Sequence, residues 1–550
     1  MYNFQLLRRG FHSIGLVLLY AVLCGGVLDV GSAYAQKDFE EFKNQQQQQY
    51  EEYLNEQDKA FLKFLKKQWK DVDVEAQMGS VLDDKPEDIP TIGTPDVEPG
   101  TSSPDRDSNT ETTPPSPSPG GEAVTEEDEA KNQEPAEATP SEPAAEESTA
   151  ESQPQPEEPP APEPEPQAPQ SQNEGAEGMS TVSLSFFGVQ TVAPYTSALA
   201  PTLDAAPGKE SIRTFWKELA KQEYAPTLDA LKKKRDQLGL SDWGYYVYVR
   251  DVANRLYAEK GHSDGSNAAT LWSWFMMMKS GYAVKVGYRG DNIFLMLPAN
   301  TQIYNRPQMY LNDQKYYLMV EESGGGSLRT YEGQHETADQ VLTLDERVLP
   351  SLEGTTKSRS ASFSYDDKRF NIDFEYDTAV LDYLRAYPNV ELDVLFQAGV
   401  SSVAASSLKK ALQPHVKDRS PRDALTFLLQ FVQFATKYKR DKENFGEERY
   451  LFAEESLAAT ASDCEDRAVL YAYLVRALLD RTVVGLKWPT HVATAVKAGD
   501  GLEATSEDRS LTVDGDTYIM ADPTYINSKL GMEMPFVEGK DPEVIKFAQN

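Results

Sequence analysis

The pattern of apolar and polar positions changes character along this chain, and the changes divide it. Near the start, Phe39 and Phe42, Tyr50 and Tyr53, and Phe61 and Phe64 recur every eleven residues among glutamines and charges. Eleven residues in three turns keep such pairs on one face of a nearly straight helix, which the spacing predicts over 36–75, about 50 Å long if continuous to Lys70. An aromatic stripe on a polar helix calls for a packing partner, either a second copy or the distal domains. After Trp69 no aromatic residue occurs until Phe186, and Pro, Glu, Ser, Ala and Gln dominate the interval. Such a stretch buries too little apolar surface to offset its ordering entropy, so 76–180 reads as a disordered, extended linker.

Globular patterning returns with a strand-like run at Val182 to Phe187, helices from Ser211 to Leu238 and from Trp243 to Tyr257, and a further helix beginning near Leu271. Strand-like runs follow at Asn292 to Leu297 and Tyr316 to Met319. The polar, turn-rich segment from Thr330 to Thr355 reads as a boundary between folded domains at 181–345 and 350–550. Ser362 to Tyr365 and Phe370 to Phe374 alternate about Asp366-Asp367, which predicts a hairpin. Pro421 opens a helix with Ala424, Leu425, Leu428, Leu429, Val432 and Phe434 on one face. An apolar-periodic helix runs from Ala468 to Leu479, and strands are expected at Thr490 to Val496 and Tyr518 to Asp522. The fold class is therefore α+β.

Composition narrows the function classes. A formal charge of −34 on 550 residues favours solubility and argues against nucleic-acid or anionic-membrane partners. Arg8 and Arg9, the apolar run from Ile14 to Leu28 and Ala33-Tyr34-Ala35 fit a signal peptide over 1–35, so the protein is expected to be exported to a periplasm or secreted. Cys24 would leave with that leader, and Cys464 would be the only thiol of the mature chain. His12, His262, His335, His415 and His491 make no paired-ligand spacing, and Gly324-Gly325-Gly326 lacks the Lys and Ser/Thr of a phosphate loop. No metal or cofactor is expected.

The candidate chemistry centres on Ser462-Asp463-Cys464-Glu465-Asp466-Arg467, which runs straight into the apolar helix. A thiol on the first helical turn faces unpaired N–H groups and the positive end of the macrodipole, both of which favour thiolate. His491 follows on one strand and Asp522 at the end of another. Cysteine, histidine and aspartate in this order, with Asp522-Pro523-Thr524-Tyr525 after the strand, resemble the transglutaminase-like superfamily, related to the papain-like cysteine enzymes. The resemblance covers roughly Asp423 to Tyr525. It implies a nucleophile at Cys464, a general base at His491 and an orienting carboxylate at Asp522. Trp488 and Tyr525, close in sequence to the base and the orienter, are candidate walls of a substrate pocket.

Ser263-Asp264-Gly265 before a helix echoes Ser462-Asp463-Cys464, with Gly265 in the place of Cys464. Holding that offset without a gap sets Asn292 against His491, and the aspartate position falls on Val320 or Glu321 according to how the turn at Asn312-Asp313 is matched. The expectation is a degenerate first copy, with glycine for nucleophile and asparagine for base. The leading function is an exported cysteine-dependent acyl-transfer enzyme, a peptidase or amidase acting on a protein or peptide carboxamide. A protein-crosslinking transamidase and an inactive binding or scaffold protein are the alternatives.

Overall fold

Short turns set the registers of the sheets. Asn312-Asp313, Asp366-Asp367 and Asp514-Gly515 all adopt positive φ, the left-handed conformation that tight hairpins demand. The computed structural model describes residues 56–67, 69–76, 85–86, 88–95, 97–100, 179–203, 205–263, 265–320 and 326–549. In chain order the strands are β1 (Trp69–Val74), β2 (Ser180–Phe186), β3 (Val189–Tyr195), β4 (Lys285–Arg289), β5 (Asn292–Pro298), β6 (Gln308–Leu311), β7 (Gln314–Leu318), β8 (Gly326–Tyr331), β9 (Thr356–Tyr365) and β10 (Lys368–Asp377). They continue as β11 (Lys437–Tyr438), β12 (Ala461–Ser462), β13 (Val483–Trp488), β14 (His491–Lys497), β15 (Ser510–Val513), β16 (Asp516–Ala521) and β17 (Glu543–Ile545). The protein is mixed α+β with antiparallel sheets, and no helix among the described residues is long and apolar enough to cross a membrane.

Each half carries a helix followed by two hairpins. In the first, the helix Asn267–Lys279 precedes a sheet of order β1-β8-β4-β5-β7-β6; in the second, the helix Cys464–Leu479 precedes β15-β16-β14-β13-β17. Setting β1 aside, the two orders are the same, with β8 and β17 both flanking the first strand of the first hairpin. The registers agree as well. Val286 opposes Leu295, and at the offset that relates Gly265 to Cys464, Gly485 opposes Thr494. In the second hairpins, Gln308 opposes Tyr317 as Ser510 opposes Ile519, both pairs of positions now shifted by a slightly larger offset. Side-chain faces follow the same mapping: Ile293 and Leu297, like Val492 and Val496, face the main core, whereas Phe294 and Met296, like Ala493 and Ala495, face the other side of their sheet. The larger offset matches Asn312-Asp313 to Asp514-Gly515 and puts Val320, not Glu321, at the aspartate position.

Three expectations change. The helix at residues 56–65 ends there, and Trp69–Val74 is a strand rather than a continuation of the helix to Lys70. Val72 and Val74 alternate with Asp71 and Asp73, a period of two that fits a half-buried strand paired with β8. The stripe residues Phe39, Phe42, Tyr50 and Tyr53 lie outside the described residues. Phe61 and Phe64 do pack, inside this chain: Phe61 meets Trp216, Trp274 and Tyr331, and both rings meet Tyr331. Second, part of the expected linker is folded, since residues 85–86, 88–95 and 97–100 lie on the second half with Lys85 and Val97 buried. Third, the helix expected from Ser211 to Leu238 is two, Lys209–Ala220 and Ala225–Leu238, the second with proline in its first turn.

The six-stranded sheet closes on itself at one end. Glu75, just past β1, exchanges backbone hydrogen bonds with Gln308 of β6 (2.8 and 3.3 Å), so β1 bridges the two edges β8 and β6. Val74, Phe294, Met296, Met309, Leu311, Tyr316, Leu318 and Leu328 fill the enclosed side. Between the halves a single apolar core runs from Phe61 and Trp216 through Tyr383 and Phe431 to Tyr471 and Ile526. The segment expected as a boundary is threaded into it, with His335, Leu342, Leu344 and Glu346 all buried.

Candidate functional site

Cys464 is the first residue of its helix, with Asp463 at the N-cap, and the helix packs on β14, the strand that His491 opens. The N-terminal turn is tied down by acidic side chains: Asp466 accepts from the N–H groups of Asp463 (3.2 Å) and Leu451 (2.9 Å). His491 pairs across the hairpin with Trp488, and its Nε2 lies 2.7 Å from Asp522 Oδ2. Asp522 is itself fixed by the N–H groups of Thr524 (2.9 Å) and Tyr525 (3.3 Å), both bonded to Oδ1. Trp488 stacks on the imidazole at 5.9 Å and Phe536 meets it edge-on at 5.4 Å. The ring is thus clamped on two sides and its Nε2 is anchored. Nδ1 is buried and has no hydrogen-bond partner among the described residues.

The thiol points elsewhere. Cys464 Sγ donates to Glu465 Oε2 at 3.1 Å, and with Nδ1 unpartnered and Nε2 on Asp522 there is no Cys464–His491 hydrogen bond. The sequence argument for a thiolate is overturned in this conformation: burial, then the adjacent Glu465 carboxylate, push the thiol well above its ordinary value, although Lys85 pulls the other way. Both Cys464 and His491 are 1% exposed, so the site is closed. Trp488, expected as a pocket wall, is buried and donates its indole N–H to Lys540 O (3.1 Å), while Tyr525 is partly buried beside it.

Sequence reasoning missed the surroundings of the thiol. Asp441, Glu448, Asp463 and Glu465 present carboxylate oxygens within 4.8 Å of one another. Such an all-oxygen set would suit a hard divalent cation. Here the cage holds the ammonium of Lys85, which is 2.7 Å from Asp463 Oδ2, in contact with Glu465 and Glu448, and 3.7 Å from Asp441 Oδ2. Burial and the neighbouring Asp466 and Asp463 charges raise Asp441 to about 10, and Glu465 and Asp466 are pushed well above the carboxylate range, chiefly by burial and by Asp463. The nearby Arg467, also buried, is lowered to about 10 by its burial and donates to Thr436 O (2.9 Å). Asp463, Glu465 and Asp466 were visible as neighbours of the cysteine. Lys85, Asp441 and Glu448 carry no local signal, because only the tertiary fold brings them to it.

In the first half, Gly265 and Asn292 are brought together as the offset requires: both line a cavity of about 390 Å³, with His262, Ser263, Ser266 and Asn267. Asn292 opens β5 opposite Arg289, as His491 opens β14 opposite Trp488. Gly265 sits at φ +67° two residues ahead of its helix, whereas Cys464 is the first residue of its own. No protein-family model, curated protein or solved structure matches this chain.

Proposed function

We propose that the second half is a transglutaminase-like cysteine acyl-transfer domain acting on protein or peptide carboxamides, and that the first half is a copy of the same fold without the reacting groups. The observation that carries this reading is His491. Its Nε2 is held 2.7 Å from Asp522 while its Nδ1 is left without a partner among the described residues, on the strand against which the helix of Cys464 packs. That is the tautomer and orientation a general base for a thiol requires.

The chemistry follows from the groups present. Once the Cys464 side chain turns from Glu465 towards His491, Nδ1 takes the thiol proton and the thiolate attacks the carboxamide carbon. The tetrahedral oxyanion is met in part by backbone N–H groups of the first helical turn. His491 returns the proton to the leaving amine, and the thioester left on Cys464 passes its acyl group to water. Asp522 keeps the imidazolium oriented throughout. The matched registers of the two halves support the duplication, with Val320, Asn292 and Gly265 at the triad positions of the inert copy. A scaffold role is favoured by one observation, the closed thiol bonded to Glu465.

Iodoacetamide alkylation of Cys464 across pH separates the two. A working triad gives a labelling rate that stays high well below the titration of a free thiol near pH 8.5, and His491→Ala or Asp522→Ala returns it to the ordinary curve. A profile that follows an ordinary thiol and is the same in all three proteins leaves the scaffold as the function.

A further inference from the structure

The acyl-transfer reading leaves unexplained why a stretch from near the start of the chain lies across a site built by its last quarter. Residues 85–100 run from one end of the candidate triad to the other. At the nucleophile end, Lys85 enters the carboxylate cage, its side chain 2% exposed, and the Tyr438 hydroxyl donates to Pro86 O (3.0 Å). At the orienter end, Ile92 N–H donates to Ile526 O (3.0 Å), Ile526 N–H to Pro90 O (3.2 Å) and Asn527 Nδ2 to Ile92 O (2.8 Å), just beyond Asp522 in the chain. Further on, Val97 is buried and Gly100 N–H donates to Phe434 O (3.0 Å), so close to Lys437 that a Cβ at Gly100 would lie 2.5 Å from its backbone N.

The contact at Glu465 joins this segment to the thiol. One carboxylate oxygen, Oε1, takes the Lys85 ammonium and the other, Oε2, takes the Cys464 Sγ–H. Lys85 thereby fixes the group that holds the thiol away from His491. A cation placed among three buried carboxylates and the part-buried Glu448 offsets their mutual repulsion, which is left uncompensated when the ammonium leaves. Beyond Lys85, the segment is held by hydrogen bonds at Pro86, Pro90, Ile92 and Gly100 and by the apolar side chains of Ile89 and Val97, the kind of attachment that opens well before the core does.

We propose that residues 85–100 form a displaceable cap on the candidate site, with the Lys85 ammonium as its plug in the cage of Asp441, Glu448, Asp463 and Glu465. The cap rests on the acyl-transfer reading for its purpose but not for its existence. In the capped state Cys464 is shielded and bonded to Glu465. Release opens the cage to water, frees Glu465 and lets the thiol reach Nδ1 of His491.

The test is the alkylation rate of Cys464 by iodoacetamide in the full chain at one pH, mapped by peptide mass so that Cys24 does not contribute. Two variants loosen the cap at opposite ends. Lys85→Glu puts a fifth carboxylate where the ammonium sits, and Ile92→Pro removes the N–H bonded to Ile526 together with the part-buried isoleucine side chain, far from the cage. Both are expected to label about tenfold faster or more than wild type, since a small loss of docking energy multiplies the open population. Unchanged rates in variants whose 85–100 segment has become cleavable by limited proteolysis would overturn the cap. Should Lys85→Glu fail to fold, Ile92→Pro decides alone, because it leaves the cage intact. Adding His491→Ala to each variant tells this proposal from the preceding one. Acceleration that persists in the double variants upholds the cap even where the pH profile has ruled out the triad.

Discussion

Glu465 shares its two oxygens between a thiol and an ammonium, and the protonation of its neighbours decides how the cage responds to pH. Asp441 lies 3.7 Å from the Lys85 ammonium, beyond hydrogen-bonding distance, and burial together with Asp466 and Asp463 raises it to about 10. An acid whose folded pKa exceeds its unfolded value near 3.8 binds more protons folded than unfolded between those limits. Its stabilisation is therefore complete below the unfolded value and is lost as pH rises towards about 10. Stability should fall between pH 6 and 9, by up to about 1.4 kcal/mol per pH unit for each extra proton held. Asp441→Asn, which mimics the protonated acid, should flatten that slope in urea midpoints taken at the two pH values; an unchanged slope would place the protons elsewhere. At this scale the sequence showed the histidine, the aspartate and the helix position of the cysteine, each set by local pattern. It could not show the state of the thiol, because Lys85 and Asp441 reach it only through tertiary contacts.

Hairpins were the legible elements. Asp366-Asp367 between alternating strands stands where it was expected, and Asn312-Asp313 against Asp514-Gly515 fixes the correspondence that the sequence left open. β1 was hidden because its Trp69 also extends the helical aromatic spacing, although Val72 and Val74 carry the period of two. Its partner β8 lies at the far end of the first half, beyond the reach of any local pattern. Glu75 is the seam where this strand meets β6. Glu75→Pro removes the N–H that donates to Gln308 O and the carboxylate that accepts from Gln308 Nε2 (2.9 Å), and should cost about 1–3 kcal/mol. It also uncovers the edge of β6, so concentration-dependent light scattering should rise in the variant. Normal stability with no association would mean that the seam does not hold the sheet.

On the scale of the whole molecule, the sequence suggested two domains with a polar boundary, and the structure joins them through one apolar core. Buried residues at 335–346 make the boundary part of the packing. Unfolding should then be a single transition. Five of the six tryptophans, Trp69, Trp216, Trp243, Trp272 and Trp274, lie in the first half, and Cys464 lies in the second. Tryptophan fluorescence and exposure of Cys464 to a fast thiol reagent should therefore show the same urea midpoint; separate midpoints would show that the halves unfold independently.

The cap also has a place in time. Ile92 meets Asn527 across a sequence separation of 435, so during synthesis the partner of the cap does not yet exist when the cap leaves the ribosome. At about 5–20 residues per second the wait is roughly 20 to 90 seconds. For that interval the Ile92 part of the segment has no partner, although Phe434, Asp441 and Asp463, which meet Gly100 and Lys85, are made earlier, and β8, the partner of β1, earlier still. The carboxylates from Asp441 to Glu465 emerge before Ile526, so the Lys85 end of the cap has its partners first and the Ile92 end only afterwards. Docking of the cap is therefore completed from its Lys85 end towards Ile92, only after Ile526 and Asn527 have been made.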